Sequence, residues 1–319
     1  MLPFIDLHQD LLLHIRERHL FDDDQQTDLS LNIKAGVKVV VATAFPYPPD
    51  GDFKHPSINE LIEGYIDSYN EIASQGGDER WGVITDAAGL EEVVTGRSNP
   101  GFIVSVEGLN MFEGSSEDWE MLDRWYEKGL RSIGPLWSVS NSLGGSADDG
   151  DKGLTSLGEE LIRWAEDRGV VVDLAHMNRK TFRESVSKIT KPAFVSHANA
   201  DTVCPSERNL EDWQLEQIAE YEGVVGVFCA VKFLDESKDR SSINSLVKHI
   251  KYIKDLIGIE HVAVGTDFGG LTNGSPKGLP SVDHIPRLWE LLSEEGLSGK
   301  EIEAISYGNS LRVLKEHLG

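Results

Sequence analysis

Two cysteines in 319 residues, Cys204 and Cys229, are too few to frame a chain of this length with disulfides. That scarcity fits a reducing compartment. Long apolar runs are missing as well: none approaches the ~18 residues of a membrane span, so no membrane partner is expected. The opening segment, Met1-Leu2-Pro3-Phe4-Ile5-Asp6-Leu7-His8, has no basic stretch followed by a long apolar one. No signal peptide is therefore visible, and a cytoplasmic location is the expectation. Positive charge is in short supply too. Lys and Arg number 30 against 54 Asp and Glu, a net charge of −24. Such a surface repels phosphate backbones and anionic lipid, which argues against a nucleic-acid partner. The acidity itself reads as solubility and says nothing about a site.

What is present is a sizeable core, with 39% hydrophobic residues, enough for one large core or two ordinary ones. No low-complexity tract, short repeat or linker breaks the chain, so residues 1–319 read as a single domain. Short apolar runs alternate with helix-like segments. Candidate strands are Pro3–Leu7, Val37–Thr43, Phe102–Val106, Ser132–Trp137, Val170–Leu174, Ala193–Ser196, Val224–Phe228 and Val262–Thr266. Most are β-branched without clean alternation, as parallel strands covered on both faces should be. Between them, Ser156 and Glu159 predict a capping box with Leu157, Leu161, Trp164 and Ala165 on one face, and Gly169 predicts a left-handed cap. Leu246, Ile250, Ile253 and Ile257 follow helical spacing, and a helical tail is expected near His284–Ser293 and Ser298–His317. Eight strands alternating with helices fit either a doubly wound sheet or a closed (β/α)8 TIM barrel, and the count favours the barrel. The irregular stretches Pro46–Pro56 and Leu143–Gly153 each follow a strand and would be loops on the barrel's active face.

Most of the ten histidines sit in helices, turns or polar contexts and carry no functional reading. Three fall elsewhere: His8 after the first strand, His176 at the end of the fifth and His197 at the end of the sixth. Strand ends converge on one mouth in a barrel, and His176 and His197 are separated by about one helix–strand unit. His8 and Asp10 form an H-x-D pair whose side chains point the same way on an extended strand. Glu107 and Asp267 also follow strands. A carboxylate at a buried strand end needs a partner, because desolvating it unpaired costs several kcal/mol. Metal ions would be that partner. Imidazole and carboxylate without cysteine suit Zn2+ and leave Mn2+, Co2+ or Fe2+ open. A shared carboxylate gives the two-metal arrangement used in hydrolysis.

These residues carry a resemblance. Asp6-Leu7-His8-Gln9-Asp10, Val106-Glu107-Gly108, Gly153-Leu154-Thr155, Val172-Asp173-Leu174-Ala175-His176, Ser196-His197-Ala198-Asn199-Ala200, Arg208-Asn209 and Val264-Gly265-Thr266-Asp267-Phe268-Gly269-Gly270 follow one another in the order found in a known family. The sequence resembles the membrane dipeptidase (renal dipeptidase) family of zinc peptidases, among the amidohydrolase-like metal-dependent hydrolases. The resemblance implies a (β/α)8 barrel with a C-terminal helical tail and two Zn2+ per chain. It implies that His8 and Asp10 bind one ion, His176 and His197 the other, and that Glu107 bridges them. Asp267 would handle a proton or the substrate's amino group, and Arg208 would pair with the substrate's carboxylate, a bidentate task suited to guanidinium. The implied reaction is hydrolysis of a dipeptide, a small-molecule substrate, by a two-zinc-bound hydroxide, with Glu107 and Asp267 as the catalytic carboxylates. Two departures stand out. Where many members have a histidine after the fourth strand this chain has Trp137, a candidate substrate-binding residue that donates one hydrogen bond and cannot be cationic. Where an aromatic hydroxyl is expected it has Phe228-Cys229-Ala230. Alternatives remain open at this point: a hydrolase of another small amide, lactone or phosphoester, or a non-catalytic metal-binding relative. A homo-oligomer is also left open.

Overall fold

The computed structural model describes residues 2–16, 25–45, 58–75 and 80–319. The predicted loop Pro46–Pro56 lies outside them. Nine parallel-paired strands are present among the described residues: β1 (Phe4–Gln9), β2 (Val37–Ala44), β3 (Gly82–Val83), β4 (Gly101–Glu107), β5 (Leu130–Gly134), β6 (Val171–Val172), β7 (Phe194–Val195), β8 (Val224–Val227) and β9 (Val262–Val264). Eight of them answer the eight predicted strands. The short β3, which pairs with β4 at Gly82 and Gly101, carries too few apolar residues to signal itself. The predicted strand Ser132–Trp137 ends at Gly134, because Pro135 has no N–H for the ladder.

The ladder runs β1-β2-β4-β5-β6 in one arc and β7-β8-β9 in another. Single bridges join the arcs at Asp173–Phe194 and Gln9–Phe268, so the curled sheet closes around eight strands as a (β/α)8 barrel. Side chains substitute for backbone pairing at both seams. The Asp6 carboxylate accepts from Thr266 N–H at 2.8 Å and Thr266 Oγ1 at 2.7 Å, tying β1 to β9. Asp173 Oδ1 accepts from Ser196 N–H at 2.9 Å, tying β6 to β7.

Alternation then sorts the strands. Ile5, Leu7, Val39, Val41, Ile103, Val171, Phe194, Val224 and Ala263 share one inner cluster, while Val40, Ala42, Phe102 and Val104 face the surrounding helices. Val313, Leu314 and Leu318 of the last helix, Asn309–Leu318, join the inner cluster. That helix touches β1, β6, β8 and β9 together, so the helical tail is the floor of the barrel. It is reached through a π-turn at Ala304–Gly308, which divides the predicted Ser298–His317 segment. No helix among the described residues is long and apolar enough to cross a membrane.

The predicted N-cap at Ser156 is displaced by one residue, and no capping box forms, because the N3 position falls on Gly158. The helix is Ser156–Asp167, and Thr155 caps it by accepting from the Gly158 N–H through its hydroxyl. Gly169 does adopt a left-handed φ of 70°. The helix Ile243–Ile257 buries Leu246, Ile250 and Ile253 as expected.

Candidate metal centre and active site

At the mouth, opposite the helical floor, the strand ends deliver six titratable side chains to one point. His8 comes from β1, where the register against β2 slips: Asp6 pairs with Val40 but Gln9 with Ala42. The extra residue is a bulge, which turns the strand locally and re-aims the side chains after Leu7. Asp10 follows directly, Glu107 ends β4, His176 and His197 follow β6 and β7, and Asp267 follows β9. His176 and Asp267 hold φ of 64° and 62°. Left-handed backbone is strained for non-glycine residues and is retained where the surroundings over-determine it.

The distances describe one cluster. Glu107 Oε1 lies 3.1 Å from His176 Nε2 and 3.5 Å from His197 Nε2, while its Oε2 lies 3.9 Å from His8 Nε2. His8 Nε2 is also 3.6 Å from Asp10 and 3.8 Å from Asp267. His176 and His197 bring their Nε2 atoms to 3.1 Å. Two overlapping sets place ligand atoms within 4.8 Å of one another: His8, Glu107 and His197, and His8, Asp10 and Asp267.

Electrostatics shows what this cluster wants. Burial holds Asp267 well above the usual carboxylate range, and Asp10 and Glu107 beside it add to the rise. Burial raises Asp10 and Glu107 likewise. Burial alone would lower His8, but Glu107, Asp10 and Asp267 outweigh it and push it up to about 10. Burial, with nearby cationic Arg208 and His8, keeps His176 and His197 well below the ordinary value and therefore neutral. Three carboxylates and two neutral imidazoles thus converge on a space that attracts a cation. Asp10 Oδ1 and Glu107 Oε1 are buried with no hydrogen-bond donor among the described residues. Buried oxygens are rarely left that way, and divalent metal would satisfy both. The donors fit the implied metal.

A second layer fixes the imidazoles, and sequence reasoning assigned it no role. Ser196 Oγ donates to Asp173 Oδ2 and lies 2.7 Å from His197 Nδ1. With the serine proton committed to Asp173, His197 Nδ1 is the donor, leaving Nε2 as a bare lone pair toward Glu107. Asp173 also accepts from Ala175 N–H at 3.0 Å, just before His176. Gly226 and Gly265 make room for this layer: a Cβ at either would meet the Ser196 carbonyl oxygen at 1.9 or 2.0 Å. The available signal was a carboxylate inside each of two apolar runs, Asp6 in Phe-Ile-Asp-Leu and Asp173 in Val-Val-Asp-Leu.

A cavity of about 500 Å3 opens over the cluster and is lined on one side by Arg208 and Phe228. Arg208 is buried, donates from Nη2 to the His197 carbonyl at 3.2 Å and lies over the Phe228 ring at 5.4 Å. It makes no ion pair among the described residues. Asn209 Nδ2 holds its loop through the Cys204 and Phe233 carbonyls at 2.7 and 3.0 Å. Trp137 also lines the cavity, with its ring centroid 6.4 Å from His176 and 4.9 Å from Phe45. The predicted loop Leu143–Gly153 reaches the same space through Asp148. Phe45 and Asp148 were not singled out by sequence, since neither sits in a motif. Cys229 is buried, its thiol pushed well above the ordinary value by desolvation.

The sequence model of the membrane dipeptidase family, peptidase family M19, matches residues 1–318. A crystal structure of a metallopeptidase described as dipeptidase AC, of family M19, is similar over 100% of this chain and 99% of its own, with a TM-score of 0.85 at 26% identity. A metallopeptidase of Rhodobacter sphaeroides, liganded with a phosphinate mimic of the dipeptide L-Ala-D-Ala, is similar over 99% of both chains with a TM-score of 0.84 at 26% identity. An uncharacterised dipeptidase of Schizosaccharomyces pombe is 32% identical over 242 residues, which cover 74% of this chain and 58% of that protein. An uncharacterised protein of Klebsiella pneumoniae is 37% identical over 224 residues, 67% of this chain and 80% of its own.

Proposed function

Because the chain belongs to the membrane dipeptidase family, peptidase family M19, across residues 1–318, we propose that it is a metal-dependent dipeptidase hydrolysing the amide bond of a dipeptide. One observation carries this reading. Donors from separate strands meet at a buried, cation-seeking point, beside a buried arginine that has no carboxylate partner among the described residues. The Rhodobacter sphaeroides relative's dipeptide mimic supports the same substrate class here.

The finer reading assigns two divalent ions, with Zn2+ foremost, to His8, Asp10, Glu107, His176 and His197, Glu107 facing both sets. Bound, such ions acidify water and polarise the carbonyl under attack. The chain's own groups do the rest. Arg208 holds the substrate's C-terminal carboxylate through its guanidinium. Asp267, 3.8 Å from His8 Nε2 at the edge of the cluster, accepts a proton from the attacking water and returns it to the leaving amine. Trp137 and Phe45 keep the opposite wall apolar. Once the carboxylate is anchored at Arg208, the scissile carbonyl falls over the His and carboxylate cluster, which suits a substrate of two residues.

The test combines elemental analysis with rates on L-L and L-D dipeptides, their C-terminal amides, a lactone and a phosphoester. Free dipeptides should be cleaved, and amidated ones should lose on the order of tenfold or more in kcat/KM. Equal cleavage of acid and amide removes Arg208 from its role. Preference for lactone or phosphoester sinks the dipeptidase reading.

A further inference from the structure

We propose that Phe45 and Trp137 form a side-chain subsite for the amino-terminal residue of the substrate, selecting a large apolar and preferably aromatic side chain. The inference rests on the dipeptidase reading and adds the residue that is read and the chemistry that reads it.

Strand order supplies the direction. Around the closed barrel the strands run β1, β2, β4, β5, β6, β7, β8, β9. Arg208 follows β7, and β2, which Phe45 directly follows, stands four strands away by either route, directly across the mouth. The His and carboxylate cluster lies between them. A dipeptide with its carboxylate at Arg208 and its scissile carbonyl over the cluster therefore carries its amino-terminal Cα and side chain toward Phe45 and Trp137. The two rings stand 4.9 Å apart at 45°, and both line the cavity. Such a pair offers an inserted ring the offset or edge contacts that aromatic groups prefer.

The wall is held in place. Gly108, with φ of 78°, runs directly behind Trp137: a Cβ there would come 3.1 Å from the Trp137 Cβ. Ser146 Oγ donates to the Trp137 carbonyl, fixing the backbone from the other side. A preformed apolar wall spends little on ordering when a side chain lands on it. The carboxylate side is charged: the Arg208 guanidinium lies over the Phe228 ring at 5.4 Å. The uncharged aromatic wall of the cavity is the one that faces the amino-terminal residue, and selection for an apolar side chain falls there.

The experiment measures kcat/KM of the metal-loaded protein on Phe-Gly, Leu-Gly, Gly-Gly and Gly-Phe. The parent should prefer Phe-Gly over Gly-Gly by about tenfold or more, as expected for a side chain moved from water onto an aromatic wall. Trp137→Ala should bring the Phe-Gly to Gly-Gly ratio within about threefold, while the Gly-Phe to Gly-Gly ratio stays as in the parent. Phe45→Leu should lower the first ratio part of the way. If Trp137→Ala does not fold, the parent ratios and Phe45→Leu decide. Equal parent rates on Phe-Gly and Gly-Gly, or a Trp137→Ala effect confined to Gly-Phe, overturn the subsite and leave the dipeptidase reading standing. Cleavage of none of the four overturns both.

Discussion

Replacing Asp173 by Asn leaves the shape of the side chain almost unchanged, yet it should reach the metal centre through two hydrogen bonds. In the parent, Asp173 is buried and accepts from the Ser196 N–H, the Ala175 N–H and the Ser196 hydroxyl. An amide oxygen can keep the two backbone donors, but the amide nitrogen that replaces Oδ2 is itself a donor. Ser196 must then accept from it and swing its own proton onto His197 Nδ1, 2.7 Å away. His197 answers by carrying its remaining proton on Nε2, where Glu107 Oε1 stands at 3.5 Å and where an ion held by the proposed ligands would need a lone pair. Losing the orientation of a ligating histidine by changing its outer partner typically costs 10–100-fold in metal affinity. The lost charge-assisted bond costs about 1.5–3 kcal/mol of stability, because both partners are buried. The assays are metal retention against a graded chelator and denaturant unfolding of the metal-free protein. A variant destabilised by about that amount but holding metal as tightly as the parent would refute the tautomer argument. It would leave Asp173 as a clamp between β6 and β7 only.

Glu107→Gln should weaken retention of both ions, since one carboxylate faces His8, His176 and His197; full occupancy of two ions per chain by elemental analysis removes the shared-ligand role. Asp267→Asn should fold, because asparagine tolerates the φ of 62° better than most residues, and should keep most of its metal while turnover drops ~10²–10⁴-fold. Parallel loss of metal and activity in one preparation would make Asp267 a ligand instead. Acid should destabilise the fold through His249 and His317, which burial lowers from 6.5 to about 4. Between those values the unfolded chain binds protons that the folded one refuses, so their stabilisation is complete above about pH 6.5 and disappears on the way down to pH 4. The loss is at most about 3 kcal/mol for each. Unfolding at pH 7.5 and 4.5 should show a shallower fall in His249→Gln, and an unchanged slope would exclude His249 as a contributor.

The eight strands were legible because buried parallel strands leave continuous β-branched runs, and Val37–Ala44 or Val262–Val264 can hardly be read otherwise. Helix ends were legible to within a residue: Gly169 announced its own turn, while Thr155 took the cap from Ser156 because a cap depends on where the backbone enters the helix. His8, Asp10, Glu107, His176, His197, Asp267 and Arg208 stood out as polar residues at the ends of apolar runs or inside ordered motifs. Local sequence carries that contrast directly.

What local sequence does not carry is distance across the fold. That Asp6 would seal β1 to β9 depends on a contact 260 residues away in sequence, and nothing near Asp6 distinguishes it from a metal ligand. His249 looks like any helical histidine, and only packing places its Nδ1 on the Ala200 N–H at 3.1 Å and its Nε2 on the Leu234 carbonyl at 3.2 Å. Trp137 was singled out only by its place in a motif, and Phe45 is an ordinary apolar residue until closure of the barrel sets it across the mouth from Arg208. The sequence by itself showed which metal-ligating residue types stand at the ends of apolar runs and which segments are strands, since both follow from residue type and short-range pattern. The tertiary structure decided which nitrogen of His197 faces the site, which carboxylates join strands and which side chains line the cavity, because each depends on groups that only the closed barrel brings together.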